Sequence, residues 1–141
     1  MKYVAWAVLS LGLLVARPAT LPAQEASAGG RVELRQNYPN PFNPETYIPF
    51  ALPQGIFANG HKPVVALRIY NVLAQLVAVP ILQGSGEPLE SLKLEWNGTG
   101  SYTAYWDGNY RGTERQAASG VYVYQLVVDG KAFSKKMTVT K

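Results

Sequence analysis

Cysteine is absent from the 141 residues, which excludes disulfides, thiolate metal ligands, a cysteine nucleophile and the lipid-bearing cysteine of a bacterial lipoprotein. Histidine occurs once, at His61. Charged residues make up only 16% of the chain and no run of Lys or Arg exceeds Lys135-Lys136. The basic stripe that nucleic-acid binding needs is therefore missing. The longest apolar run, from Tyr3 to Ala16, stops at Arg17-Pro18, short of the ~18 residues of a spanning helix.

That run, with Met1-Lys2 before it and only Ser10 and Gly12 interrupting it, has the layout of a secretory signal peptide. Small residues before a cut site occur at Leu21-Pro22-Ala23 and again at Ala26-Ser27-Ala28. Cleavage after either Ala23 or Ala28 fits, and Ala23 is preferred because it lies nearer the apolar segment. The alternative is an uncleaved N-terminal anchor. Removing residues 1–23 takes away Lys2 and Arg17, leaving 11 basic against 9 acidic groups, so the formal charge falls from +4 to +2. Export without disulfides points to a bacterial envelope or its exterior. After cleavage nothing in the chain is expected to be integral to the membrane.

Residues 24–30 are small and polar and are expected to form a flexible lead-in. Residues 31–141 then run as short period-2 apolar segments separated by Gly, Pro and Asn, with no sustained helical spacing. The expected fold is all-β, an immunoglobulin-like sandwich of seven or eight mainly antiparallel strands. In residues 46–52, Ile48, Phe50 and Leu52 share one face, and Pro49, which lacks an N–H, predicts an edge strand. In residues 64–71, Val65, Leu67 and Ile69 point inward, and residues 75–82 are expected to pair back as one strand of a hairpin. Residues 89–96 should alternate Leu92, Leu94 and Trp96, turn at residues 97–100 and continue as residues 102–106. Residues 121–128 and 132–140 flank Asp129-Gly130, a strong tight-turn signal. Tyr122 and Tyr124 lie on one face with Leu126, a core face rather than a binding stripe. Trp96-Asn97-Gly98 and Trp106-Asp107-Gly108 are read as two strands ending in similar turns, because a ten-residue period is too short for a stacking repeat.

Catalytic chemistry finds little to use. His61 sits in a Gly- and Pro-containing stretch expected to be a solvated loop. A Ser-His-Asp relay needs a nucleophile on a constrained turn, and zinc needs three or four ligands. Ser119 is better read as a turn residue. Residues 107–112 begin like a calcium loop, but Arg111 and Ala118 stand where ligands belong, so a β-turn is expected. Gly84-Ser85-Gly86 lacks the lysine of a phosphate loop and reads as a hairpin tip. The chain is therefore expected to be non-enzymatic, without metal, cofactor or small-molecule substrate.

The segment 34–46, carrying Asn37-Tyr38-Pro39-Asn40-Pro41-Phe42-Asn43-Pro44, and the following Ile48-Pro49-Phe50-Ala51-Leu52-Pro53 resemble the opening of type IX secretion C-terminal sorting domains. The likeness continues through Leu67-Arg68-Ile69-Tyr70-Asn71-Val72-Leu73, Trp106-Asp107-Gly108, residues 118–124 and Lys135-Lys136-Met137. The same pattern is similar to the immunoglobulin-like domain of flagellar hook-capping proteins. Without any resemblance, the prolines at 39, 41 and 44 still predict an extended entry segment against which Phe42 packs. Gly120 gives backbone freedom before a strand. At least one of Lys135 and Lys136 should face outward and protect an edge.

The resemblance implies a module recognised in its folded C-terminal region by an outer-membrane translocon. The corresponding elements are Gly120, Val121 and Tyr122 with the terminal hairpin bearing Lys135, Lys136, Met137 and Lys141. In the family the domain trails a cargo and is cleaved by a sortase-like protease. Here seven residues separate Ala23 from the domain, so a stand-alone module is expected. Two departures are Ala74, where the family has Gly, and an insertion at residues 84–99 that adds a strand able to widen a sheet or offer a contact edge. The partner is expected to be outer-membrane secretion machinery and the location the cell surface or exterior. The alternative is an envelope or appendage adaptor, periplasmic or exported, that binds a protein through a sheet edge.

Overall fold

The computed structural model describes residues 30–141. The expected signal peptide, and all of the lead-in but Gly30, lie outside the described residues. The fold is all-β, with two antiparallel sheets. One has the order β1-β2-β7-β5, formed by β1 (Glu33–Leu34), β2 (Thr46–Ala51), β7 (Ser101–Trp106) and β5 (Ile81–Leu82). The other has the order β4-β3-β8-β9, formed by β4 (Leu76–Ala78), β3 (Val64–Tyr70), β8 (Gly120–Val128) and β9 (Lys131–Val139), with β6 (Leu92–Lys93) also pairing with β3.

Strand alternation builds the core as the apolar pattern requires. Ile48, Phe50 and Leu52 from one sheet, and Val65, Leu67, Ile69, Tyr122, Tyr124 and Leu126 from the other, are all buried in one cluster. Aromatic edges join the layers: the Trp106 ring meets Phe42 at 5.3 Å and Tyr122 at 6.0 Å between centroids. Burial of large rings and aliphatics at ~25 cal/mol per Å² supplies the main driving force, with no disulfide to assist. Residues 54–60 form two short 3-10 turns broken at Ala58 and Asn59.

Three expected elements take a different course. Residues 75–82 do not form one strand: β4 pairs with β3, the chain turns at Val79-Pro80, and β5 joins β7 in the opposite sheet. Pro80, without an N–H, is poorly suited to continue a ladder. Residues 89–96 keep only two residues of ladder, against Val64 and Val65. Leu89 and Leu94 are buried, whereas Leu92 and Trp96 are half-buried. The link 97–100 is therefore a crossing between sheets, not a hairpin turn. Finally, β2 is not an edge, since the two-residue β1 covers one side. The carbonyl of Pro49 accepts the Arg35 N–H at 3.0 Å, so its missing N–H also faces that side. There only β1 and a Tyr38–Tyr47 bridge pair with β2, and the gap between them needs no donor.

Turn chemistry follows the sequence closely. Asp129 and Gly130 take φ of 47° and 85°, the left-handed pair of a two-residue hairpin loop. The Asn97 and Asp107 side chains each accept backbone N–H groups two residues on, from Thr99 and Asn109. Gly108 is obligatory: a Cβ there would lie 1.8 Å from the Pro44 carbonyl oxygen, and its φ is +86°.

Candidate functional site

The residues marked for recognition converge on the C-terminal hairpin β8–β9, whose register runs from Gly120 opposite Val139 to Val128 opposite Lys131. β9 is the last strand of its sheet. Outward-pointing backbone groups occur at alternate residues. The Lys136 carbonyl accepts Gln36 Nε2 at 2.9 Å, the Thr138 carbonyl accepts the Phe42 N–H at 3.1 Å, and the Thr138 N–H reaches Asn40 Oδ1 at 3.0 Å. The proline-rich entry segment thus seals the C-terminal half of the β9 edge. By the same alternation Ala132 and Ser134 also face outward, and among the described residues no backbone partner covers them.

A buried polar knot holds that entry segment. Tyr124, fully buried, donates its hydroxyl proton to the Arg35 carbonyl at 2.8 Å and accepts the Asn37 N–H at 3.1 Å. Asn37 Nδ2 donates to Thr46 Oγ1 at 3.0 Å, and both residues are buried. Burial pushes the Tyr124 hydroxyl up to about 12. Among the described residues no buried side-chain nitrogen or oxygen lacks a partner.

Side-chain exposure divides the expected recognition residues. Gly120, Val121, Lys135, Lys136 and Lys141 are exposed, whereas Tyr122 and Met137 are buried in the core and act by holding the hairpin in place. Lys136 lies opposite Val123 on the outer face. Lys135 lies opposite the buried Tyr124, on the core-facing side, yet is exposed. A charge pointing inward from an edge strand discourages uncontrolled strand pairing. In the motif 39–44, Phe42 is buried while Pro39, Asn40, Pro41, Asn43 and Pro44 are exposed. Trp106 is buried, and its indole N–H donates to the Asn109 carbonyl at 2.9 Å.

His61 is not simply solvated. Its Nε2 lies 2.8 Å from Asp129 Oδ2, while Asp129 Oδ1 accepts the Val64 N–H at 2.9 Å. The Val64 bond, then His61, holds the Asp129 carboxyl below its ordinary range. Together they clamp the β8–β9 turn to the start of β3. Ser119 accepts the Lys141 N–H at 3.1 Å, as a terminus-fixing turn residue. Asp107 accepts the Asn109 N–H within its turn. Among the described residues no three His, Cys, Asp or Glu side chains gather as metal ligands would. No helix among them is long and apolar enough to cross a membrane. The surface clefts include one of about 350 Å³ at the hairpin tip, lined by Val32, Ile56, Val128 and Phe133 with Asp129.

Two features carry no clear local signal in the sequence. Gln36, Asn37 and Asn40 act as fasteners between the entry segment and the rest of the domain, and only their place among prolines hinted at it. Val72 and Leu73, at the tip of the β3–β4 turn, are 76% and 73% exposed.

No family model and no curated protein matches the chain. A Pseudomonas fluorescens alkylpurine DNA glycosylase, solved bound to DNA containing an abasic site analogue, is similar over 78% of this chain and 30% of its own, at 18% identity and a TM-score of 0.42. The chain thus spans under a third of that protein, and a likeness this low carries no functional argument.

Proposed function

We propose that the chain is a non-enzymatic secretion and sorting module, an exported immunoglobulin-like β-sandwich recognised by an outer-membrane type IX translocon through its folded C-terminal region. One observation carries this reading: the C-terminal hairpin is built into the core through Tyr122, Tyr124, Leu126, Met137 and Val139, and among the described residues backbone groups in the N-terminal half of β9 have no partner at the sheet edge. An extended segment of a partner adds to such an edge by main-chain hydrogen bonds, with side chains selecting the partner. Lys135 and Lys136, which have no ion-pair partner among the described residues, lie beside that edge and favour a partner strand carrying acidic residues.

Deleting the hairpin would unfold the core and report nothing about recognition. Ser134→Pro is the sharper perturbation, because its N–H points away from β8 and its loss leaves the β8–β9 ladder intact. The variant should melt within a few degrees of the parent and accumulate in the periplasm, as judged by fractionation and mass spectrometry of both termini. Normal release of a folded Ser134→Pro protein would contradict edge recognition. Unchanged location of the parent in cells lacking the translocon would favour the adaptor reading, in which the same edge holds an envelope partner.

A further inference from the structure

We propose that the β3–β4 turn and the adjoining outer face of its sheet form a second, side-chain docking surface for the same translocon, which receives it in an apolar socket with an acidic rim. This rests on the sorting function proposed above. Large apolar side chains are exposed at only a few places among the described residues, and Val72, Leu73, Leu76 and Val121 are four of them. They are not scattered. Leu76 lies opposite Tyr70, Tyr70 opposite Val123, and Val121 lies two residues before Val123 on the same face. Val72 and Leu73 extend that patch over the end of the sheet.

The tip is held rigidly. Asn71 Oδ1 accepts the N–H groups of Leu73 and Gln75 at 3.0 Å each, and Asn71 Nδ2 donates to Gln75 Oε1 at 2.8 Å. Ala74 is held at φ +60° to close the turn, a left-handed conformation that an alanine seldom adopts. A fixed apolar projection loses little freedom on binding, which is how anchor residues gain affinity. Large contiguous apolar patches on a protein surface mark interaction sites.

Charge selects the occupant. The strands of this face carry three charged side chains, Arg68, Lys93 and Lys136, all cationic. Among the described residues neither Lys93 nor Lys136 has an ion-pair partner. A second copy packed face to face would set these cations against their like, so self-association is disfavoured, whereas an acidic rim is complementary. The patch runs from the turn tip on to the outer face of the sheet. A concave protein surface follows that shape better than a planar bilayer does.

The test compares the parent chain with Val72→Ser/Leu73→Ser and with Val121→Thr in cells with and without the translocon. All are exposed positions, so the purified variants should melt within a few degrees of the parent. Export of the parent should depend on the translocon, and the ratio of exported to periplasmic protein should fall at least tenfold in the double variant and severalfold in Val121→Thr. If the parent depends on the translocon and the folded double variant is exported normally, this docking surface is refuted while the sorting function stands. If the parent is exported without the translocon, both fall. Sedimentation of the full chain with vesicles of phosphatidylethanolamine and phosphatidylglycerol, lost in the double variant, would make the patch a lipid contact and overturn the socket.

Discussion

Tyr124→Phe isolates the contact that ties the proline-rich entry segment to the C-terminal hairpin. The ring would remain packed, so no cavity term enters. What disappears is one hydroxyl that donates to the Arg35 carbonyl and accepts the Asn37 N–H. Asn37 is 2% exposed, so its N–H would be stranded away from water. Leaving a buried donor or acceptor unpaired costs about 1–3 kcal/mol each, and the expected loss is about 2–4 kcal/mol, or about 10 °C or more in melting temperature for a domain of this size. Urea titration followed by tryptophan fluorescence measures it, with the m-value unchanged if the effect is confined to the native state. The substitution also removes a titrating group. Burial raises the folded-state value of Tyr124 to about 12, so its protonated hydroxyl stabilises the fold fully below the unfolded value near 10 and this share is lost as pH rises toward 12. Tyr124→Phe should therefore flatten the alkaline decline as well as lower stability at neutral pH. A loss below about 0.5 kcal/mol would refute the buried knot, since it would mean that water reaches both backbone groups.

Ala74→Gly relieves a left-handed alanine and should stabilise the domain by about 0.5–1 kcal/mol in the same denaturation assay; a loss would mean that the turn is not strained. Gly108→Ala forces a Cβ against the Pro44 carbonyl and should cost more than about 2 kcal/mol by thermal melting, with a neutral outcome contradicting that close approach. The carboxylate of Asp129 is favoured in the fold by the Val64 N–H and by His61. Its contribution is present above the unfolded value near 3.8 and lost as pH falls through the lower folded value. Asp129→Asn, which tolerates the left-handed turn and keeps an acceptor, should remove that small acid dependence while sparing most neutral-pH stability; an unchanged acid limb would argue against the clamp.

Alternation and turn chemistry were legible because they are local. Val65, Leu67 and Ile69, or Tyr122 and Tyr124, declare their face by period two, and Asp129-Gly130 declares its turn by the positive φ it must adopt. Which sheet a short segment joins was not legible. Residues 75–82 look like one apolar strand, yet the split at Pro80 is set by where β7 offers an open side. Residues 89–96 alternate correctly but are held by packing of Leu89 and Leu94 more than by ladder hydrogen bonds. The candidate edge was legible only in part. Lys135 and Lys136 marked it, but Gln36, Asn40 and Phe42 seal half of it from about a hundred residues away in sequence, and no local pattern encodes such a contact. The display of Val72 and Leu73 was likewise hidden, since apolar residues in a turn ordinarily suggest burial.

The sorting function is tested most directly by following the unaltered chain in cells that possess or lack the type IX translocon, with cytoplasmic, periplasmic, surface and medium fractions measured by mass spectrometry. Surface or medium protein that is lost without the translocon, with matching accumulation in the periplasm, is the expected result. The same distribution in both cells would contradict it.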